Sequence, residues 1–183
     1  HLLLTRRTED VQTHKGQISF PGGMREGDED LVTTALRETF EEVGIDESRI
    51  EILCRFHDYM SITRFRVTPF AGFIRGPFAT KPQVREVAEV LQVPLGIFTD
   101  PKRLRIEKSM YVDSDPNVYF YSYGKDEIWG LTARIIKEFV DEYIVELQRL
   151  THGARQDRTS ARKRVEELDA AIIFAPAGEL VPA

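Results

Sequence analysis

The 183-residue sequence has one cysteine, Cys54, and only four histidines. A single thiol cannot close an internal bridge, so a disulfide scaffold is excluded; Cys54 lies inside an apolar strand-like run and reads as a small core residue. No cluster of histidine and cysteine is present to favour zinc. No apolar run approaches the roughly 18 to 20 residues that cross a bilayer, and no charged region followed by a hydrophobic stretch marks a secretory leader. We therefore expect a soluble protein with no membrane partner. The C-terminus, Val181-Pro182-Ala183, is not a peroxisomal tripeptide, which leaves the cytoplasm as the default location. The chain starts at His1 in the middle of a strand pattern, so further residues are expected upstream. Basic charge is also scarce: 25 Lys and Arg stand against 30 Asp and Glu, a formal net charge of −5. That balance argues against a nucleic-acid partner, because counterion-release binding needs a surplus of cations on one face.

What the sequence does contain is enough apolar residue, 42%, to build a core. No repeat, low-complexity tract or linker rich in Gly, Ser or Pro interrupts it before about residue 150. The expected organisation is one domain over residues 1–150 and a C-terminal extension over 151–183, polar and basic from Thr151 to Arg164 and apolar enough for one more strand at Ala170 to Pro176. Strand-like runs occur at Leu2 to Arg6, Ile52 to Phe56, Phe65 to Ile74, Val90 to Val93 and Val118 to Tyr123. Between them, Val32, Ala35, Leu36, Thr39 and Val43 repeat with helical spacing, and Gly44 stands where a left-handed cap would end the helix. A second apolar stripe runs from Ile128 through Ile135, Ile136 and Phe139 to Leu147, with Trp129 read as part of its core face. Strands mixed with two amphipathic helices predict an α/β protein, with a mixed sheet between helices.

Carboxylates are dense between Met24 and Gly44, and their spacing matters more than their number. At 100° per residue, Glu41 lies about 60° to one side of Glu38 and Glu42 about 40° to the other. The three should share one face, expected to lie opposite the apolar stripe and in solvent. Three like charges within one turn repel, so something must compensate. A hard divalent cation with oxygen ligands, Mg²⁺ or Mn²⁺, is suited to that task. Arg37, four residues before Glu41, can pair with it and fix one carboxylate. Taken alone, the three glutamates also suit a solvated acidic helix face.

The wider spacing decides between these readings. Gly23 is followed after five residues by Glu29 and after seven more by Arg37-Glu38-Thr39-Phe40-Glu41-Glu42-Val43-Gly44-Ile45. This resembles the Nudix box, Gly-x5-Glu-x7-Arg-Glu-U-x-Glu-Glu-x-Gly-U, with U a bulky aliphatic residue. Every charged and glycine position matches, and Thr39 replaces the first U with a side chain of similar shape. The resemblance implies an α/β/α sandwich and a hydrolase of nucleoside diphosphates linked to a further group. It assigns Glu38, Glu41 and Glu42 to metal binding, with Glu29 and Arg37 as supports and the Gly22-Gly23 turn letting backbone approach metal and phosphate.

Upstream, Leu3-Leu4-Thr5, Arg7-Thr8, Gly16 and Phe20-Pro21-Gly22-Gly23 look like the extra motif of the coenzyme A pyrophosphatase branch, with Thr8 at a small-residue position and Gln12 in place of a second arginine. Downstream, Phe65 to Pro69, Glu86 to Val90, Val93-Pro94-Leu95 and Ile128 to Ala133 are similar to the same branch. The resemblance implies cleavage of coenzyme A, or its acyl or oxidised forms, to 3′,5′-ADP and 4′-phosphopantetheine or the matching derivative. A related activity on ADP-ribose or another nucleoside diphosphate derivative is the alternative. Candidate substrate-binding residues are Arg7, Lys15, Gly23, Arg25, Arg64 and Arg66, and Gly22 joins the metal candidates. The general base is sought among Glu38, Glu86 and Glu89. A homodimer is compatible with the sequence.

Overall fold

The computed structural model describes residues 1–10, 14–61, 64–108, 116–144 and 170–180. It divides into two compact units, His1–Pro94 with Ala170–Ala183, and Leu95–Asp169. The last strand returns to the first unit and pairs in its sheet. Gln12, residues 145–169 and Leu147 of the expected apolar stripe lie outside the described residues.

The first unit contains β1 (Leu2–Arg7), β2 (Ile18–Ser19), β3 (Gly23–Met24), helix α1 (Leu31–Val43), β4 (Ile50–Arg55), β5 (Tyr59–Met60), β6 (Phe65–Arg75) and β7 (Val87–Val93). The second unit adds α2 (Gly96–Thr99), β8 (Leu104–Lys108), β9 (Asn117–Tyr123), β10 (Asp126–Trp129) and α3 (Gly130–Phe139), and β11 (Ala170–Leu180) closes the first. The main sheet has the order β2-β1-β11-β6-β4, with β3 on β11, β5 on β6 and β7 on β1. It is mixed: β11 runs parallel to β1 and β3 and antiparallel to β6. Leu2, Leu3 and Leu4 are all fully buried, as expected for an interior strand covered on both faces.

Alternation along β1 sorts its side chains onto the two faces of the sheet. Leu3 packs with Val43, Ile45 and Ile74, so Leu3, Thr5 and Arg7 share the α1 face, and Leu2, Leu4 and Arg6 the other. On β6, Phe70 packs with Ala35 of α1.

The second unit has a three-stranded antiparallel sheet, β10-β9-β8, on which α3 buries Ala133, Ile135, Ile136 and Phe139. Two sequence expectations shift here. Ile128 and Trp129 belong to β10 and not to the helix, because Gly130, at φ +68°, turns the chain into α3. Trp129 is 43% exposed and stacks beside Phe120 at 6.2 Å, so it is a sheet-surface residue and not core.

Candidate active site

Helix α1 is delimited by local chemistry. The Asp30 carboxylate accepts the Thr33 N–H at 2.9 Å and the Thr33 hydroxyl at 3.1 Å, which caps the first turn. Gly44, at φ +72°, ends the helix with its N–H donating to the Phe40 carbonyl at 2.8 Å. A Cβ at position 44 would also press on Lys81, 2.8 Å from its Cβ, so the glycine is required twice. Thr39 fits its aliphatic position: it is fully buried, and its hydroxyl is satisfied by the Ala35 carbonyl at 2.7 Å.

Arg37 organises one flank of the helix. Nη2 donates to Glu29 Oε1 at 2.8 Å and Nε to Glu29 Oε2 at 3.2 Å, a bidentate pair. Nη1 reaches Glu38 Oε1 at 3.1 Å and Glu41 Oε2 at 3.2 Å, and Nη2 reaches the Met24 carbonyl at 2.9 Å. Glu29 also accepts the Glu26 N–H and the Thr34 hydroxyl, each at 2.9 Å. Hydrogen bonding from Arg37 is the main reason its carboxyl is held down to about 2. The guanidinium is correspondingly held in its charged form. Glu29 is thus the partner of Arg37 and does more than begin a helix.

The other flank differs from the sequence expectation. The three glutamates are not a solvent-exposed face: Glu42 is only 5% exposed. Position 42 comes seven residues after Ala35, a rotation that returns to within about 20° of it, so Glu42 borders the apolar stripe. Burial pushes its carboxyl up to about 8, with Arg7 opposing the rise and Glu38 and Glu86 adding to it. The Gly22 N–H donates to the Glu42 carboxylate, yet Oε2 of Glu42 and Nε of Arg7 are both buried without a hydrogen-bond partner. Glu38 is also raised, first by burial, against the pull of Arg37. Its carboxylate lies so close to Gly23 that a Cβ there would stand 2.3 Å from Cδ. The absent side chain of Gly23 makes room for Glu38 itself.

The remaining candidates separate. Glu86 sits on the turn before β7, where its charge acts on both Glu38 and Glu42. Glu89 is the cross-strand partner of Arg6 and is ion-paired with it at 3.1 Å. Arg6 and Arg7 point to opposite faces, so Glu89 lies on the face away from α1. Past the Arg6–Glu89 pair the register shifts, and Arg7 stands opposite Val87. Lys15 is an exposed residue of the turn after His14. Arg25 donates to the Glu29 carbonyl at 2.6 Å, on the Arg37 flank. Arg66 projects from β6 with Nε 4.0 Å from Asp58. Asp58 also accepts from Arg55 at 2.6 Å and from the buried Thr68 hydroxyl at 2.8 Å. No periodicity pointed to Asp58, because it lies in the short connection between β4 and β5.

Among the described residues, no three acidic, histidine or cysteine side chains converge closely enough to enclose a metal ion as they stand. The donor set nonetheless fits a hard divalent cation. It is all oxygen, burial raises the carboxyls of both Glu38 and Glu42 so that a cation would favour their charged forms, and one buried carboxylate oxygen of Glu42 has no hydrogen-bond partner.

Residues 1–112 match the NUDIX domain. The chain belongs to the Nudix family. Among its Nudix relatives, the uncharacterized Nudix hydrolase NudL of Photorhabdus laumondii is 35% identical over 77% of this chain and 76% of its own. The NudL protein of Pectobacterium atrosepticum is 38% identical over 75% and 72%. Nudix hydrolase 22, chloroplastic, of Arabidopsis thaliana is 34% identical over 74% of this chain but only 47% of its own length. Nudix membership makes the chain a pyrophosphohydrolase of small nucleotide derivatives within an α/β fold, and Nudix enzymes generally use divalent metal ions such as Mg²⁺ or Mn²⁺. No helix among the described residues is long and apolar enough to cross a membrane.

Proposed function

We propose that this Nudix protein hydrolyses the pyrophosphate bond of coenzyme A or its acyl or oxidised derivatives, releasing 3′,5′-ADP and 4′-phosphopantetheine or the corresponding derivative. The observation that carries the reading is Arg7. It belongs to the Leu3-Leu4-Thr5-x-Arg7 motif of the coenzyme A branch, and its guanidinium acts on the buried Glu42 of the Nudix box. Motif and box therefore meet at one spot, where an anionic phosphate oxygen could take the Nε hydrogen bond that Arg7 leaves unmade.

Glu38, Glu41 and Glu42, with the Gly22 backbone alongside, hold the divalent cation in this reading. When bound, that cation shields the pyrophosphate charge and makes a water more acidic. Arg37 anchors Glu38 and Glu41 from the solvent side, so their carboxylates are oriented before substrate arrives. Gly23 keeps the Glu38 carboxylate close against the backbone. Arg7, Lys15, Arg25 and Arg66 are the cations that attract the phosphates in this reading, and Arg7 is the one whose charge acts on the box. Glu86 is the general base favoured by its proximity to Glu38 and Glu42, ahead of Glu89 on the opposite face. The α/β/α layering of the family and a cytoplasmic place of action belong to the same proposal.

The test is incubation with Mg²⁺ and a panel of coenzyme A, acetyl coenzyme A, ADP-ribose, NADH and diadenosine polyphosphates, with products identified by mass. Dominant 3′,5′-ADP and phosphopantetheine is the expected outcome. Turnover of ADP-ribose without coenzyme A would overturn the substrate assignment and leave the Nudix chemistry standing.

A further inference from the structure

The charge of Glu86 acts on both Glu38 and Glu42, and repulsion among the three has to be met by restraint on the backbone. For Glu38 and Glu42 the restraint is α1. For Glu86 it is a turn fastened at both ends. The turn closes on itself through the Glu86 and Val87 N–H groups, which donate to the Gln83 carbonyl at 2.9 and 2.8 Å. One end is fixed to the last turn of α1: the Lys81 N–H donates to the Val43 carbonyl at 2.8 Å and the Gln83 N–H to the Glu42 carbonyl at 2.9 Å. The other end is fixed to Thr8. Its N–H donates to the Glu86 carbonyl at 2.9 Å and its hydroxyl to the Arg85 carbonyl at 2.8 Å. Thr8 is 9% exposed, so water competes little for either bond.

We propose that Thr8 is a positioning residue of the metal site, its hydroxyl clamping the Arg85–Glu86 turn so that the Glu86 carboxylate, the base of the reading above, is held where its charge also bears on a divalent cation at Glu38 and Glu42. The inference rests on the metal-dependent reading above. It adds a residue that touches neither metal nor substrate and acts through Glu86. The backbone bonds of the turn would survive any side chain at position 8, whereas the Arg85 bond needs a hydroxyl. A β-branched hydroxyl residue supplies that bond and also fills the space beside it.

The experiment is a titration of the intact protein with Mn²⁺ alone, followed by electron paramagnetic resonance, for wild type, Thr8→Val, Thr8→Ser, Glu86→Gln and the Thr8→Val/Glu86→Gln pair. Melting temperatures are measured in parallel. Thr8→Val should weaken Mn²⁺ binding by about tenfold, the loss typical of removing a group that orients a ligand, and Thr8→Ser should restore it. In the Glu86→Gln background, Thr8→Val should have no further effect, because it acts through a carboxylate that is no longer there. In turnover assays the same variant should lower kcat and leave KM unchanged. Wild-type Mn²⁺ affinity in Thr8→Val, equal losses in Thr8→Ser, or an undiminished effect in the Glu86→Gln background would each overturn the proposal. The titration needs no substrate. A failure to cleave any compound in the panel therefore counts against the proposed function, and the Mn²⁺ cycle judges Thr8 separately.

Discussion

The two flanks of α1 carry the same residue type in opposite circumstances. On one, Glu29 and Glu41 face a single guanidinium at the surface, and Arg37 satisfies Glu29 with two hydrogen bonds. On the other, Glu42 is buried, with an unpartnered oxygen and two further glutamates acting on it. The first flank has its positive charge built in. On the second, the positive charge acting on Glu42 among the described residues is Arg7, whose own Nε is left without a partner. The difference teaches where structure ends and chemistry begins: Glu29, satisfied by Arg37, holds helix and loop together, and Glu42, with an oxygen left over, is the carboxylate a cation would complete.

The sharpest way to break this comparison is Glu42→Gln. It removes a buried charge without changing shape, so turnover should fall by several orders of magnitude while the melting temperature of the metal-free protein at about pH 8 holds or rises. Near-normal turnover would end the metal assignment. Arg37→Met acts on the opposite flank. It should lower the melting temperature by a few degrees and the turnover by about 10- to 100-fold, since Glu38 and Glu41 lose their anchor; turnover at the wild-type level would show that Arg37 is structural only.

The flanks should also part company in pH. Burial lifts Glu42 to about 8, so its contribution to stability is complete below its ordinary value of 4.5 and is lost as pH rises through about 8. Glu29, held down to about 2, behaves in reverse: its contribution is complete above 4.5 and is lost as pH falls through about 2. The metal-free melting temperature should therefore decline between about pH 5 and pH 8.5, and millimolar Mg²⁺ should flatten the decline by binding the charged form. A profile that is flat without metal would contradict the burial of Glu42.

Gly23→Ala should reduce turnover by about tenfold with little change in melting temperature, because the flexible end of Glu38 moves aside before the backbone does. An unaltered rate would mean that Glu38 need not lie against residue 23. The smallest effect is expected for Glu89→Gln, which should cost less turnover than Glu86→Gln. The reverse order would move the search for the base to the other face of the sheet.

Much of this arrangement was legible beforehand. Thr39 and Gly44 act within a single helix, so helical spacing and cap chemistry locate them, and the Arg37–Glu41 pair follows from the same periodicity. Burial at Glu42 was also present in its spacing from Ala35, but the glutamates were grouped with one another and not with the stripe beside them. The rest depends on pairing between distant segments. Which of Glu86 and Glu89 faces α1 depends on two long-range pairings, Glu89 standing opposite Arg6 of β1 and Glu86 lying in the turn that Thr8 and the end of α1 hold. The role of residues 170–180 was hidden for the same reason, since an apolar run does not state which neighbours it joins.

That last strand has a consequence for how the protein comes into being. Leu3 pairs with Ile173, and β6 pairs along its whole length with β11. During synthesis, β1 and β6 leave the ribosome long before the segment that lies between them. Until it emerges they present open edges, the kind of surface that invites pairing with another chain. Sequence-distant pairing of this sort slows folding, so a shortened chain that stops before residue 170 should retain the Nudix box and all its glutamates, yet lack the strand that joins the two halves of the sheet beneath them.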